Sequence, residues 1–443
     1  MIKYNKYKPS GVEWIGDIPE HWGKYRLKNI SISVNGYSFK SDDFDREYDI
    51  PVIRIGDVGD IIDFEDCIKV KSKFLEEKKD FIVKKNDILI GLTGGTIGKS
   101  GRYHYETPSL LNQRVGLLRN KKEVLNGLLY HYVKSEVFIR YIFYDCYGGG
   151  QDNISMNDIL NMVFPLPPSQ EQLQIVQFLD EKTELIDRLI STKELKINLL
   201  KEQRITLINE VVTKGLNHNT KMKDSGVEWI GEIPEGWLIG KLKHNSELKI
   251  SSVDKHIYED EIQVIVCNYT DVYYNEYIKS NLEFRRGSCT QDEFTKFKLE
   301  KGDVIITKDS ESPTDIGVPS FVSEELDNVV CGYHLSIIKP NSNKIIGQFL
   351  FRQLQTTRIR RYYEICSNGI TRFGLGKSSV LETPLIIPPI NEQLEIVKHI
   401  ELKTKEIDDL VKLEQKKIDL LKQYRQSLIS EVVTGKIKVT TDE

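Results

Sequence analysis

LPPSQEQLQIVQFLDEKTELIDRLISTKELKINLLKEQRITLINEVVTKGL, residues 166–216, returns as IPPINEQLEIVKHIELKTKEIDDLVKLEQKKIDLLKQYRQSLISEVVTGKI, residues 387–437. At a constant offset of 221 the stretches agree at 24 of 51 positions, which chance does not produce. In the first, Ile175, Leu179, Ile186, Ile190, Ile197, Leu200, Leu207 and Val211 recur at steps of three, four or seven. In the second, Ile396, Ile400, Ile407, Val411, Ile418, Leu421, Leu428 and Val432 fill the same eight places. A near-heptad stripe over about five heptads is the mark of a coiled-coil seam. Pro167–Pro168 and Pro388–Pro389 set where each helix can begin, because the residue before proline leaves the right-handed helical region. Ser169 and Asn391 are the expected N-caps, and Gly215 and Gly435 the stops. A helix from about Gln170 to Thr213 is roughly 66 Å long. Two such helices, each with an apolar stripe to cover, most simply pair with one another, antiparallel.

Outside the helices a second repeat appears. SGVEWIGDIPEHW at 10–22 returns as SGVEWIGEIPEGW at 225–237, alike at 11 of 13 positions and holding all four tryptophans, Trp14, Trp22, Trp229 and Trp237. These tryptophans are expected to pack against helix ends. The interiors between the matched blocks, 23–165 and 238–386, resemble each other weakly. Both read as mixed α/β. PVIRIGDV, NDILIGLT and RVGLLR in the first interior have the β-branched runs and Gly or Asn-Asp breaks of short strands, as do IQVIVCNYT, GDVIITK and HLSIIKP in the second. Each interior then turns helical, at LLYHYVKSEVFIRYIFY and FLFRQLQTTRIRRYYEI. The fold class expected is therefore α/β: two globular α/β domains, separated and followed by two long helices pairing as an antiparallel coiled coil, a pseudo-two-fold internal repeat.

With 443 residues, more than one core is the default. The net charge of −4 does not announce a nucleic-acid binder. No apolar run approaches the roughly 18 residues of a membrane span, and the opening Met1–Ser10 stretch does not read as a signal peptide. The six cysteines (Cys67, Cys146, Cys267, Cys289, Cys331, Cys366) form no C-x-x-C pair, so reduced thiols in a cytoplasm are expected rather than disulfides or zinc.

Overall charge hides a local asymmetry. Residues 84–140 hold ten basic residues (Lys84, Lys85, Lys99, Arg102, Arg114, Arg119, Lys121, Lys122, Lys134, Arg140) against four acids. Residues 341–377 hold seven (Lys344, Arg352, Arg358, Arg360, Arg361, Arg372, Lys377) against Glu364 alone. Basic windows at the same place in both copies, interleaved with tyrosine and polar residues, suit a phosphate-contacting face. Catalytic signatures are missing. A P-loop ending at Gly98-Lys99-Ser100 needs glycine where Thr93 stands, and one ending at Gly376-Lys377-Ser378 needs it at Thr371. No H-E-x-x-H, G-x-S-x-G or amino-methyltransferase (N/D)-P-P-(Y/F) tetrapeptide occurs, the proline pairs reading LPPS and IPPI. A fused methyltransferase is thereby disfavoured; a coiled-coil scaffold that reads no DNA is the other rival.

The order globular–helix–globular–helix, with SGVEWIGxIPxxW opening each half and PPxxEQxxIV opening each helix, resembles the specificity subunit of type I restriction–modification systems over essentially the whole chain. NDILIGLTGGTIGKSG, SLLNQRVGLLR and GGGQDNIS fit that family; the second copy departs from them, with VIITKDSESPTDIG, CGYHLSII and SNGITRFGLG. The resemblance implies a non-catalytic adaptor for double-stranded DNA. It would have target recognition domains at 1–165 and 225–386, spacer helices at 166–215 and 387–437, a linker at 216–224 and a tail at 438–443. Each domain would read half of a bipartite site. The helices would set the spacer and dock two modification subunits, adenine-N6 methyltransferases, with restriction subunits joining them. This chain would bind no cofactor; S-adenosylmethionine, ATP and Mg would sit on those partners. Direct readout needs side chains on loops that enter the major groove. The candidates are Thr93, Thr96, Lys99, Arg102, Asn112, Gln113, Arg114, Gln151 and Asn153 in the first half. In the second they are Thr307, Lys308, Ser310, Tyr333, His334, Thr371, Arg372 and Lys377.

Overall fold

The computed structural model describes residues 2–121, 125–145 and 153–439, without the side chains of Tyr144 and Asp145. Lys122, Cys146 and Gln151 lie outside the described residues. The chain forms two compact units, Met1–Glu194 with Gln415–Glu443, and Leu195–Glu414. Each unit thus contains one α/β interior and a stretch of both long helices.

The helices run Ser169–Lys214 and Ile390–Val433. Ser169 and Asn391 are therefore inside the first turn and not its caps. The caps are the prolines themselves: the carbonyls of Pro168 and Pro389 accept from Gln172 N and Gln393 N, both at 3.0 Å. The glutamine of each PPxxEQ motif also satisfies its surroundings by side chain. Gln172 donates to Pro167 O (3.0 Å) and accepts from Leu125 N (3.0 Å). Gln393 does the same with Pro388 O (2.8 Å) and Ile346 N (2.9 Å), and donates to Lys344 O (2.9 Å). The repeated glutamine thus joins each helix start to the loop before a domain helix.

Along the seam Ile175, Leu179, Ile186, Ile190, Ile197, Leu200, Val211, Ile396, Ile400, Ile407, Ile418, Leu428 and Val432 are buried, while Leu207, Val411 and Leu421 are half-buried. In the second unit Lys196 meets Glu414 at 2.9 Å and Arg204 meets Asp408 at 3.0 Å. One number rises as the other falls, so the pairing is antiparallel.

In the first unit an antiparallel sheet has the order Ser31–Asn35, Val115–Asn120, Ile88–Gly91, Ser100–Arg102. A second sheet orders Lys69–Val70, Ile50–Ile53, Ser109–Leu111 and Ile82–Val83. The second unit has a five-stranded sheet, Ser246–Ile250, Leu335–Pro340, Val304–Thr307, Pro319–Val322, Tyr277–Ile278, beside a three-stranded one, Arg285–Cys289, Ile262–Cys267, Val329–Cys331. All six predicted strand stretches contain a strand. Ile88–Gly91 and Val304–Thr307 are buried at every residue, as runs rich in β-branched side chains permit when both faces are covered. The two predicted helical stretches are each broken in two, Asn126–Lys134 and Glu136–Asp145, Gly347–Leu354 and Thr357–Cys366. At the breaks Ser135 and Thr356 turn their hydroxyls back onto Tyr132 O and Gln353 O, both at 2.6 Å, a local bond that competes with helix continuation.

The tryptophan motifs form small hairpins, Tyr7–Pro9 with Asp17–Pro19 and Met222–Asp224 with Glu232–Pro234. Trp22 and Trp237 are buried and do abut helix ends. A Cβ on Gly435 would lie 2.3 Å from Pro19 and 3.2 Å from Trp22, and one on Gly215 3.1 Å from Trp237. Both glycines have positive φ, +72° and +77°, so the helix stops combine left-handed backbone with close approach. Trp14 and Trp229 are half-buried against Tyr141 and Tyr362. Cys67, Cys267, Cys289 and Cys331 are free and buried. Among the described residues no helix is long and apolar enough to cross a membrane.

Candidate nucleic-acid interface

In the first unit three backbone segments meet where the buried strand Ile88–Gly91 ends. Leu92 N donates to Arg114 O (3.1 Å), Ile154 N donates to Leu92 O (2.9 Å), and Thr93 bridges Asn153. The middle segment is a tight turn closed by Val115 N to Asn112 O at 3.0 Å, with Gln113 and Arg114 exposed. The same construction stands in the second unit after Val304–Thr307. Lys308 N donates to His334 O (3.0 Å), Leu335 N closes a turn on Gly332 O (3.1 Å), and Asp309 pairs with Gly374. The matching bonds set Arg114 against His334, Gln113 against Tyr333, Thr93 against Asp309 and Asn153 against Gly374. This places Thr93, Asn112, Gln113, Arg114 and Asn153 together in one unit, and Lys308, Tyr333, His334 and Arg372 in the other.

The other candidates have different surroundings. Thr307 is fully buried and its hydroxyl accepts from Val318 N at 3.0 Å; as the last residue of a buried strand it serves the core and not the surface. Ser310 is also buried, its oxygen accepting from Ser312 N at 3.2 Å. The hydroxyl of Thr96 folds back onto Thr93 O at 2.9 Å, holding the Gly94–Thr96 turn. Lys99, Thr371 and Lys377 are exposed, Lys377 opening the short helix Lys377–Leu381. Arg102 lies over the Tyr130 ring, 5.0 Å from its centroid. It faces a cleft of about 790 Å³ shared with Asp60, His104, His131, Asp180 and Arg425.

Within each unit many of the basic residues of the two windows are held by partners. Lys85 pairs with Glu106, Arg119 with Asp87, Lys134 with Asp60 and Arg140 with Glu136. Lys121 donates to the carbonyls of Lys28 and Asn29, both at 3.1 Å. In the second window Arg352 is buried between Glu276 and Tyr277, Arg361 pairs with Glu364, Lys344 donates to His244 O and Arg358 to Ile230 O. Arg372, together with Lys84, Lys99 and Arg114, remains exposed. Burial pushes the Asp60 carboxyl up, but the charge and hydrogen bonds of Lys134 and Tyr130 outweigh it and hold it below the usual range.

Asp309, which pairs with Gly374 beside these residues, is not among the sequence candidates. It is an acid, and an acid is not sought in a phosphate-contacting surface. Its signal was positional, two residues past a buried strand as Thr93 is. Among the described residues no cluster of His, Cys, Asp and Glu is arranged to hold a metal ion.

A family model described as the type I restriction modification DNA specificity domain matches residues 19–199 and 265–423. The chain is similar to the MjaX specificity subunit of Methanocaldococcus jannaschii, 26% identical with 96% of each chain covered. It is also similar to the type I restriction enzyme EcoKI specificity subunit of Escherichia coli, 21% identical with 95% of this chain and 90% of the relative covered. By fold it is similar to a chain solved in a study of assembly and conformational transition of the type I R-M system, with TM-score 0.71, 14% identity, and 95% and 99% of the two chains covered. The HsdS subunit from Thermoanaerobacter tengcongensis follows with TM-score 0.53, 14% identity and 95% and 98% coverage.

Proposed function

Because the chain belongs to the type I restriction modification DNA specificity family, we propose that its two units read the two halves of a split, asymmetric DNA site. One observation carries this reading. The same three-segment construction occurs in each unit and displays different side chains: Thr93, Gln113, Arg114 and Asn153 in one, Asp309, Tyr333, His334 and Arg372 in the other. A common scaffold with unlike tips is what two half-sites of different sequence require, since base edges are read by side chains and not by backbone. Thr371, Lys99 and Lys377, exposed nearby in sequence, would contribute phosphate contacts.

The paired helices act as spacer and dock in this proposal. Beyond the seam they leave leucines exposed at matched places, Leu173 and Leu394, Leu189 and Leu410, Leu199 and Leu420. Apolar side chains in solvent at repeated positions suit two equivalent partners, the adenine-N6 modification subunits. Those subunits would bring S-adenosylmethionine, and restriction subunits ATP and Mg; this chain would be non-catalytic and act in the cytoplasm.

Mapping methylated adenines in cells that hold the modification subunits, with and without this chain, tests the proposal. A bipartite asymmetric site that appears only with the chain is expected; no site, or one independent of the chain, refutes it. Inserting four residues in each helix adds about 6 Å, or about two base pairs at 3.4 Å each. The spacer should lengthen with both half-sites unchanged, and altered half-sites or a fixed spacer would reject the ruler.

A further inference from the structure

Three segments of the second unit bring Asp309, His334 and Arg372 into one cluster. The Asp309 carboxylate lies 2.8 Å from His334 Nδ1. A carboxylate accepts, so Nδ1 carries a ring proton, and the tautomer this selects has its lone pair on Nε2. Arg372 Nη2 is 3.2 Å from both ring nitrogens. A guanidinium only donates, and equal distances put Nη2 off the in-plane axis of either nitrogen, which leaves the in-plane approach to Nε2 open. The Tyr333 ring centroid is 3.7 Å from that of His334. Backbone bonds fix all three segments: Lys308 N to His334 O at 3.0 Å, Leu375 N to Lys308 O at 2.8 Å, and Asp309 paired with Gly374. The His334 side chain keeps 21% of its surface exposed, enough to present an edge.

We propose that His334 reads a base of the second half-site. Asp309 is the positioning residue that fixes the Nδ1–H tautomer, so that Nε2 accepts a hydrogen bond from an exocyclic amino group. In the major groove that group is adenine N6 or cytosine N4; guanine and thymine present acceptors there. Arg372, held against both ring nitrogens through Nη2, stiffens the ring and turns its remaining donors toward the neighbouring base or phosphate. A histidine clamped by a carboxylate on one nitrogen, with the cation set off the in-plane axis of the other, has one edge left for a ligand. The half-site reading above underlies this assignment.

The test is methylation mapping with the full chain and its modification subunits, comparing wild type with H334A, H334Q, D309A, D309N and R372A. H334A should relax one base pair of the second half-site, with discrimination there falling at least fivefold, while the first half-site stays as it was. The unchanged half-site is the internal control for folding and assembly. H334Q should move the preference at that position toward adenine, which a glutamine amide reads through its donor and acceptor. D309A should relax the same position, and D309N, which keeps an acceptor for Nδ1–H, should restore part of it. R372A should relax the same or the adjacent position. An unchanged second half-site in H334A and H334Q would overturn the assignment and leave half-site reading standing. A wild-type complex with no bipartite site would overturn both. If H334A abolished methylation altogether, H334Q and R372A would decide by the same criterion.

Discussion

The Arg204 guanidinium lies 3.0 Å from the Asp408 carboxylate, and this ion pair recurs at positions 221 residues away, with Arg425 2.9 Å from Asp187. The two copies are not equal. Arg204 also reaches Glu276 at 2.7 Å, which in turn holds the buried Arg352 at 3.1 Å. One copy therefore ties helix to helix, and the other ties both to the domain interior.

R204A should accordingly cost more stability than R425A. Removing Arg204 leaves a half-buried Glu276 with one cation fewer, an effect of about 2–3 kcal/mol. Removing Arg425 breaks a pair whose aspartate is half exposed, worth under about 1 kcal/mol. Urea unfolding of both variants measures the difference, and equal losses would contradict the three-residue network.

Gln393 is fully buried and makes three hydrogen bonds to backbone, with Lys344 O, Ile346 N and Pro388 O. Q393A strands a buried N–H and two carbonyls and should cost about 2–4 kcal/mol. Q393E should cost more, because it sets a carboxylate against two carbonyl oxygens. Thermal melts of the two variants at neutral pH would show the order.

Gly226 and Gly435 share a φ of +72°, but a Cβ meets nothing within 4 Å at Gly226 and Pro19 at 2.3 Å at Gly435. G226A should carry backbone strain alone, about 1 kcal/mol. G435A adds a steric clash and should cost about 3 kcal/mol. Equal costs would mean that the Trp22 hairpin moves aside freely.

Glu276 supplies a pH dependence. Burial works to raise its carboxyl, but the Arg204 hydrogen bond and the charges of Arg352 and Arg204 outweigh it and hold it below its ordinary 4.5. A depressed folded value means that its contribution is complete above pH 4.5 and is lost as pH falls through the folded value. The stability gap between wild type and E276Q should therefore shrink below about pH 4.5. Denaturation midpoints from pH 7 to pH 3 check this; a constant gap would exclude the charge as its source.

The Asp309–His334–Arg372 cluster marks the limit of what was legible in the sequence. Tyr333, His334 and Arg372 are candidates in the sequence as side chains that can read bases from loops entering the major groove. Nothing local said that His334 and Arg372, 38 residues apart, would touch, or that Asp309 would orient the ring. Thr307 is a candidate on the same ground, since a threonine ending a strand looks alike in sequence whether its hydroxyl faces outward or accepts from a neighbouring amide, as it does from Val318 N. Arg352 and Arg119 add to the basic windows in sequence, yet Glu276 and Asp87 take them up from distant segments.

By itself the sequence determined the duplicated frame, the two long helices with their seam, and the prolines and glycines that bound them. Those features depend on periodicity and on backbone preferences that neighbouring residues carry. Tertiary structure alone decided which polar side chains are spent inside and which are displayed. Three strand ends far apart along the chain must first be hydrogen-bonded side by side before a reading surface exists, and no local spacing encodes that meeting.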